Sequence, residues 1–316
     1  MQKYVPIPTP PRRSWSMRLT LHMRRYWQLY LLILPAFLFS LIFCYQPMYG
    51  AQIAFRNFKI KNGILGSEWV GLKHFLRFFE SASFGTVIKN TLGINLCSLI
   101  IGFPLPIILA LLLNETRSAK FRKGVQMVTY MPHFMSTVAV CGLTILFLDR
   151  DSGIINILLS KIGIASKDYM TDPNSFWGIY IITDIWQNLG WNAIIYVAAL
   201  TSVDVEVIEA AHIDGVSRLQ KIWYIDIPYI LPTVIVLFIL QAGKMMNIGF
   251  EKILLLQNAL NMSASDVIST YVYRLGIEGA QYSYTTAIGL FNSAVNVIIL
   301  IFVNNLANRL SKTSLW

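Results

Sequence analysis

The sequence predicts an all-α, polytopic membrane protein with six transmembrane helices, and two observations decide it. Of its 316 residues 55% are hydrophobic and only 13% charged, with a mean hydropathy of +0.54, far outside the range of soluble domains. The apolar residues gather into recurring runs of about twenty, the length at which a helix crosses a bilayer. The net charge of +10 is no sign of nucleic acid, because Lys and Arg of such a chain collect in inner loops and at interfaces. Cys44, Cys97 and Cys141 lie in separate apolar runs. Without paired spacing they suggest neither disulfides nor a metal site.

Taken in order, residues 1–28 are a basic cytoplasmic segment with Lys3, Arg12, Arg13, Arg18, Arg24 and Arg25 and no acid. A cleaved signal peptide is not expected, because the basic region is long and no small-residue cleavage site follows. Apolar runs follow at about 29–49, 87–113, 125–148, 176–200, 229–249 and 284–306, so a six-helix transmembrane domain spans 29–306 and a tail occupies 307–316. The outer loops fall at 50–86, 149–176 and 250–283, the last with room for a short helix. Six crossings place both termini and the stretch 202–232 on one side. The other inner regions hold twelve basic residues and a single acid, Glu115, which puts that side in the cytoplasm.

The stretch 202–232 is polar, yet it does not read as a flexible linker. Asp204 can cap a helix start, with Glu206 in the first turn where negative charge suits the helix dipole. Ala210 and Ala211 follow, Gly215 interrupts, and a second helical stretch from Val216 to Tyr224 leads to Pro228 and Pro232, which are expected to end it and restart the chain as the next span. Glu209-Ala210-Ala211, then Gly215, Ile225 and Ile227-Pro228 at their spacings resemble the EAA loop of ABC importer permeases. The chain departs from that family at Asp204 (usually Pro), Val216 (Ala), Ile222 (Phe) and Ile227 (Leu), mostly with volume kept.

Within the spans, Asp184, Gln187, Asn188, Trp191 and Asn192 form one helical stripe, Gln241, Lys244 and Asn247 recur every third residue, and Asn292, Asn296 and Asn95 add further amides. Their depths agree within one or two helical turns at about 1.5 Å per residue, so they predict a polar ring in the outer half of the bundle with an Asp184–Lys244 ion pair. Asp184, Asn188, Trp191, Gln241, Lys244, Asn292 and Asn95 are thus candidates for lining a substrate passage. The competing reading makes them helix–helix glue. No Walker loop, HExxH, CxxC or nucleophile elbow is present, so no enzyme activity is expected of this chain.

Beyond the loop, LLILPAFLF, YGAQIAFRNF and WVGLKHF resemble the sugar-permease branch of type I ABC importers, in particular a subgroup serving complex oligosaccharides such as those derived from alginate and pectin. That resemblance implies a bacterial cytoplasmic-membrane heterodimer with a second homologous permease. It also implies two ATPase subunits carrying the ATP and magnesium, and an extracytoplasmic solute-binding protein. Glu209, Ala210, Ala211, Asp214 and Gly215 would make the ATPase-coupling contact within the loop 202–228. Another cargo (glycerol phosphate, another anion or an amino acid) is the nearest alternative. An enzyme or scaffold would leave the EAA spacing to chance and predicts no associated ATPase.

Overall fold

The computed structural model describes Met23, residues 25–311 and Ser314; most of the basic segment 1–28 and the end of the tail lie outside these. The chain is helical in nearly every element. Helix α1 (Trp27–Phe55) runs through Pro35 and a π-turn into a last 3₁₀ turn. The outer loop after it folds as a small unit: β1 (Arg56–Lys59) and β2 (Gly63–Trp69) pair antiparallel with Arg56 opposite Trp69, and α2 (Lys73–Phe79) follows. Arg56 holds this hairpin from its side chain, donating to the carbonyls of Leu65 and Ser67. This is the only sheet among the described residues.

Helix α3 (Phe84–Asn114) leads to α4 (Ala119–Phe134) and α5 (Thr137–Leu148), which meet at 102°. The third run was expected to be one continuous span. Pro132 sits at the start of a 3₁₀ turn and Ser136 caps a fresh helix by accepting from Ala139 N, so the chain breaks there. Helix α6 (Ile154–Lys161) lies in the next connection. Helix α7 (Pro173–Leu200) starts at the Asp172 cap with Pro173 in its first turn, as the fixed φ of proline favours.

Helix α8 (Val205–Ile213) and helix α9 (Arg218–Ala242) follow. Pro228 and Pro232 were expected to end one helix and begin another. Instead α9 is continuous from Arg218, because a π-turn at Ile222–Asp226 precedes Pro228 and Pro232 is absorbed within the helix, as membrane helices allow. The outer connection holds three helices rather than one: α10 (Phe250–Leu256), α11 (Met262–Ser265) and α12 (Ile268–Tyr273). Arg274 pins α12 by a two-point contact with Asp266. Helix α13 (Tyr282–Ser311) is the last element among the described residues.

Helices α1, α3, α9 and α13 are each long and apolar enough to cross a membrane, and the bent α4–α5 pair adds a fifth candidate. With 28 residues, α7 reaches about 42 Å at 1.5 Å per residue, more than the roughly 30 Å of hydrocarbon. Its stripe of Asp184, Gln187, Asn188 and Asn192 lowers its mean hydropathy. Against α4 it packs backbone to backbone: a Cβ on Gly190 would lie 2.3 Å from the Thr129 carbonyl oxygen.

One buried cluster, with Ile94, Cys141, Phe176, Tyr180 and Ile253, joins α3, α5, α7 and α10. A second, with Ala110, Ala193, Tyr196 and Ile230, joins α3, α7 and α9 near the loop 202–228. Helix α1 stands apart, with none of its apolar window buried. Its main contact with the bundle is from its last turn to α13, and just beyond it Phe58 N in β1 donates to Ser283 Oγ.

Candidate functional site: a loop face and a polar interior

The loop between α7 and α9 is built by local chemistry. Asp204 caps α8 by accepting from Glu206 N. The far end closes as a Schellman turn: Gly215 N donates to His212 O and Val216 N to Ala211 O. Gly215 takes φ +69°, a conformation that costs a residue with a Cβ. Ser217 and Gln220 then form a reciprocal capping box that starts α9. Tyr229 Oη donates to Ser202 O at 2.6 Å, tying the root of the loop to the helix that follows it.

Glu209, Ala210, Asp214 and Gly215 are exposed, whereas Ala211 is turned into the chain. A cleft of about 450 Å³ lies between the two helices, lined by Val207, Ala210, Asp214, Val216 and Tyr224 among others. Around it Ile213 is 87% exposed, and Leu219, Trp223 and Tyr224 are also open. An exposed apolar face with a polar rim marks a protein contact.

The polar residues of the spans divide into two groups. On α7, Asp184 Oδ1 accepts from Lys252 Nζ at 2.8 Å and from Asn188 Nδ2 at 3.0 Å. Asn188 Oδ1 lies 3.0 Å from His133 Nδ1, and the His133 ring stacks on Trp191 at 4.3 Å. His133, Asp184, Asn188 and Lys252 line a cavity of about 470 Å³ that also reaches Tyr180, Gln187 and Glu251; Trp191 stands beside it through the His133 ring. In the second group, three amides hold the turn after α9. Asn95 donates to Met245 O, Asn296 accepts from Met246 N, and Asn292 donates to Asn247 Oδ1. Gln241 and Lys244 are exposed at that turn.

The residues matched by the family described as the binding-protein-dependent transport system inner membrane component are 102–312, a range that contains the whole loop with its Glu-Ala-Ala and Gly215. The chain belongs to that family. It is therefore an inner-membrane transport subunit and not an enzyme. It is 44% identical over 91% of its length, and 90% of the relative's, to the polygalacturonan/rhamnogalacturonan transport system permease protein YteP of Bacillus subtilis. It is 26% identical over 89% of its length, and 88% of the relative's, to the arabinooligosaccharides transport system permease protein AraP of the same organism. A chain in the crystal structure of a bacterial alginate ABC transporter, in complex with a periplasmic protein bound to alginate pentasaccharide, matches at TM-score 0.87 and 41% identity, covering 94% of this chain and 100% of that one. The fold is that of a type I ABC importer permease.

In this permease the expected Asp184–Lys244 ion pair is not formed. Helix α9 ends at Ala242, so Lys244 and Asn247 leave the helical face they were expected to share with Gln241, and the partner of Asp184 is Lys252, in the first turn of α10. Among the described residues Lys244 takes part in no ion pair. The sequence reading missed His133 and Lys252. The helix break signalled by Pro132 and Ser136 could have marked His133, but no local signal marks Lys252. Asn95, Gln187 and Asn296 spend amide groups on intrachain bonds, while Asp184 and Asn188 line the cavity and Trp191 adjoins it through its stack on His133.

Proposed function

We propose that this permease forms half of the passage of an ATP-driven importer of acidic oligosaccharides. The observation that carries the reading is the composition of the polar interior: amides, a half-exposed indole stacked on His133, and the unpaired cation Lys244. Amides suit sugar hydroxyls, an indole face suits a pyranose ring, and an unpaired ammonium suits a uronate carboxylate. The cargoes named for YteP and for the alginate transporter are polygalacturonan or rhamnogalacturonan and alginate, which supports an anionic oligosaccharide over glycerol phosphate, another anion or an amino acid.

The remaining partners follow from exposed surface. The unburied helix α1 calls for cover by a second homologous permease within the bilayer. The exposed face around Glu209, Ile213 and Tyr224 is the site for one of two ATPase subunits, which bring ATP and magnesium. A solute-binding protein delivers cargo from outside, and both termini lie in the cytoplasm with the loop. ATP-driven closure of the ATPases moves α8 and reverses the access of the passage.

The test is purification of the tagged permease in mild detergent, reconstitution into liposomes with its co-purifying proteins, and uptake of galacturonate and neutral oligosaccharides of equal length. Recovery of a second permease and an ATPase, with ATP-dependent uptake favouring the uronate, supports the reading. Uptake of the neutral sugar alone removes the acidic cargo, and recovery of the chain by itself removes the machine.

A further inference from the structure

Glu115, the lone acid of the inner regions outside the loop, has a partner that explains it. Its Oε1 accepts from Lys221 Nζ at 2.6 Å, and the same ammonium donates to Asp226 Oδ2 at 3.0 Å and Oδ1 at 3.3 Å. The three side chains are 17%, 13% and 1% exposed in that order. Glu115 ends α3, whereas Lys221 and Asp226 both lie on α9, immediately after the coupling loop and its capping box. A spacing of five residues does not share a face of an α-helix. Here the π-turn Ile222–Asp226 widens the helix by one residue and brings Asp226 round to Lys221; π-turns of this kind concentrate at functional positions.

The charges of this cluster are unbalanced, with two carboxylates on one ammonium. One carboxylate rides on the same helix as the lysine and moves with it; the other belongs to a different span. A lysine that loses Glu115 therefore keeps Asp226, and the cost of an unpaired buried ammonium is avoided in either position. We propose that Lys221 is a positioning residue that conveys movement of the coupling loop to α3 through Glu115, with Asp226 retaining the ammonium when that contact opens. This rests on the coupling role assigned to the loop under the proposed function. A static staple would need only one carboxylate. The second, held by a π-turn on the moving helix, is what a make-and-break contact requires.

The experiment uses the purified full complex with its own ATPase and solute-binding protein, comparing wild type, Glu115→Gln, Lys221→Met and the exchanged pair Glu115→Lys/Lys221→Glu. Each is measured per mole of assembled complex for basal ATP hydrolysis, for stimulation by cargo-loaded binding protein, and for uptake. Glu115→Gln is expected to keep the ATPase bound and its basal hydrolysis unchanged while stimulation and uptake fall about tenfold, within the usual range of coupling between linked elements. The exchanged pair restores an attraction between α3 and α9 but takes the ammonium off the helix that carries Asp226, so it is expected to assemble yet recover little of the stimulation, and full recovery would overturn the retaining role of Asp226. If the loss in Glu115→Gln tracks only the amount of assembled complex, with normal stimulation per complex, the contact is a staple and the proposal fails. If the wild-type permease recruits no ATPase at all, it is the coupling role of the loop that fails instead.

Discussion

Lys252 and Asp184 share one ion pair but stand in unequal surroundings. The lysine side chain is 6% exposed and the aspartate 40%, so the two charges depend on each other to different degrees. Asp184→Asn leaves an ammonium buried against Tyr180, whereas Lys252→Met leaves a carboxylate that still reaches the cavity. Removing the partner of a buried charge costs about 3–5 kcal/mol. The expected order is a larger fall in melting temperature for Asp184→Asn than for Lys252→Met, with part of the loss regained in the double variant. Equal losses in the two single variants would mean that the pair is solvated on both sides.

The loop 202–228, proposed above to couple to the ATPase, makes two separable predictions about stability and signalling. Gly215→Ala forces a Cβ into a positive-φ position, at about 1–2 kcal/mol, and Asp204→Ala removes the α8 cap at about 1 kcal/mol. Both variants are expected to insert normally, because both residues are exposed in the loop between α7 and α9. In the purified complex the ATPase is expected to dissociate more readily from Gly215→Ala than from Asp204→Ala, since the glycine sets the direction in which α8 leads into α9. Retention of the ATPase by Gly215→Ala at wild-type affinity would remove the turn from the coupling contact.

At the outer end of α7, the Lys167 ammonium lies 2.5 Å from Asp172 and, with the Ser175 hydroxyl, lowers the Asp172 pKa to about 2. A depressed carboxylate stabilises the fold fully above its unfolded value of about 3.9. That contribution is lost as pH falls from about 4 towards 2. Asp172→Asn keeps an N-cap but removes the charge. The difference in melting temperature between wild type and Asp172→Asn is therefore expected to be constant at neutral pH and to shrink across that acidic window. A difference that persists unchanged at the acidic end would assign it to cap geometry and not to charge.

What the sequence revealed was what short-range chemistry controls. The Asp204 cap and the break at Gly215 are both decided within a few residues of chain, and both were legible. The polar stripe on α7 was legible too, since Asp184, Asn188 and Trp191 recur at helical steps. The pairing of Asp184 was not, because it depends on where α9 stops. Gly243 and the three amides that grip residues 245–247 end the helix early, and those amides come from α3 and α13, far away in sequence. The bend between α4 and α5 had its signals in Pro132 and Ser136, but they lie inside an apolar run long enough to pass for one span. The hairpin β1–β2 escaped notice for a similar reason: Arg56 stabilises it by reaching across to carbonyls nine and eleven residues away.

The unpaired Lys244 and the stacked Trp191 allow charge recognition and ring recognition to be tested apart. Lys244→Gln removes a cation while leaving a hydrogen-bonding group of similar reach. If this ammonium meets a uronate carboxylate, uptake of galacturonate oligosaccharides is expected to fall about tenfold, since a hydrogen bond to a charged group is worth roughly 1.5–3 kcal/mol. Neutral oligosaccharides delivered by the same binding protein should be unaffected or faster. Trp191→Ala removes the ring that stacks on His133 and is expected to slow charged and neutral sugars alike, with Trp191→Phe recovering part of the rate. Both variants should retain their ATPase, because neither residue is near the coupling loop. A Lys244→Gln permease that slows both cargoes equally would make the lysine part of the helix end alone, and cargo charge would then have to be read by the solute-binding protein.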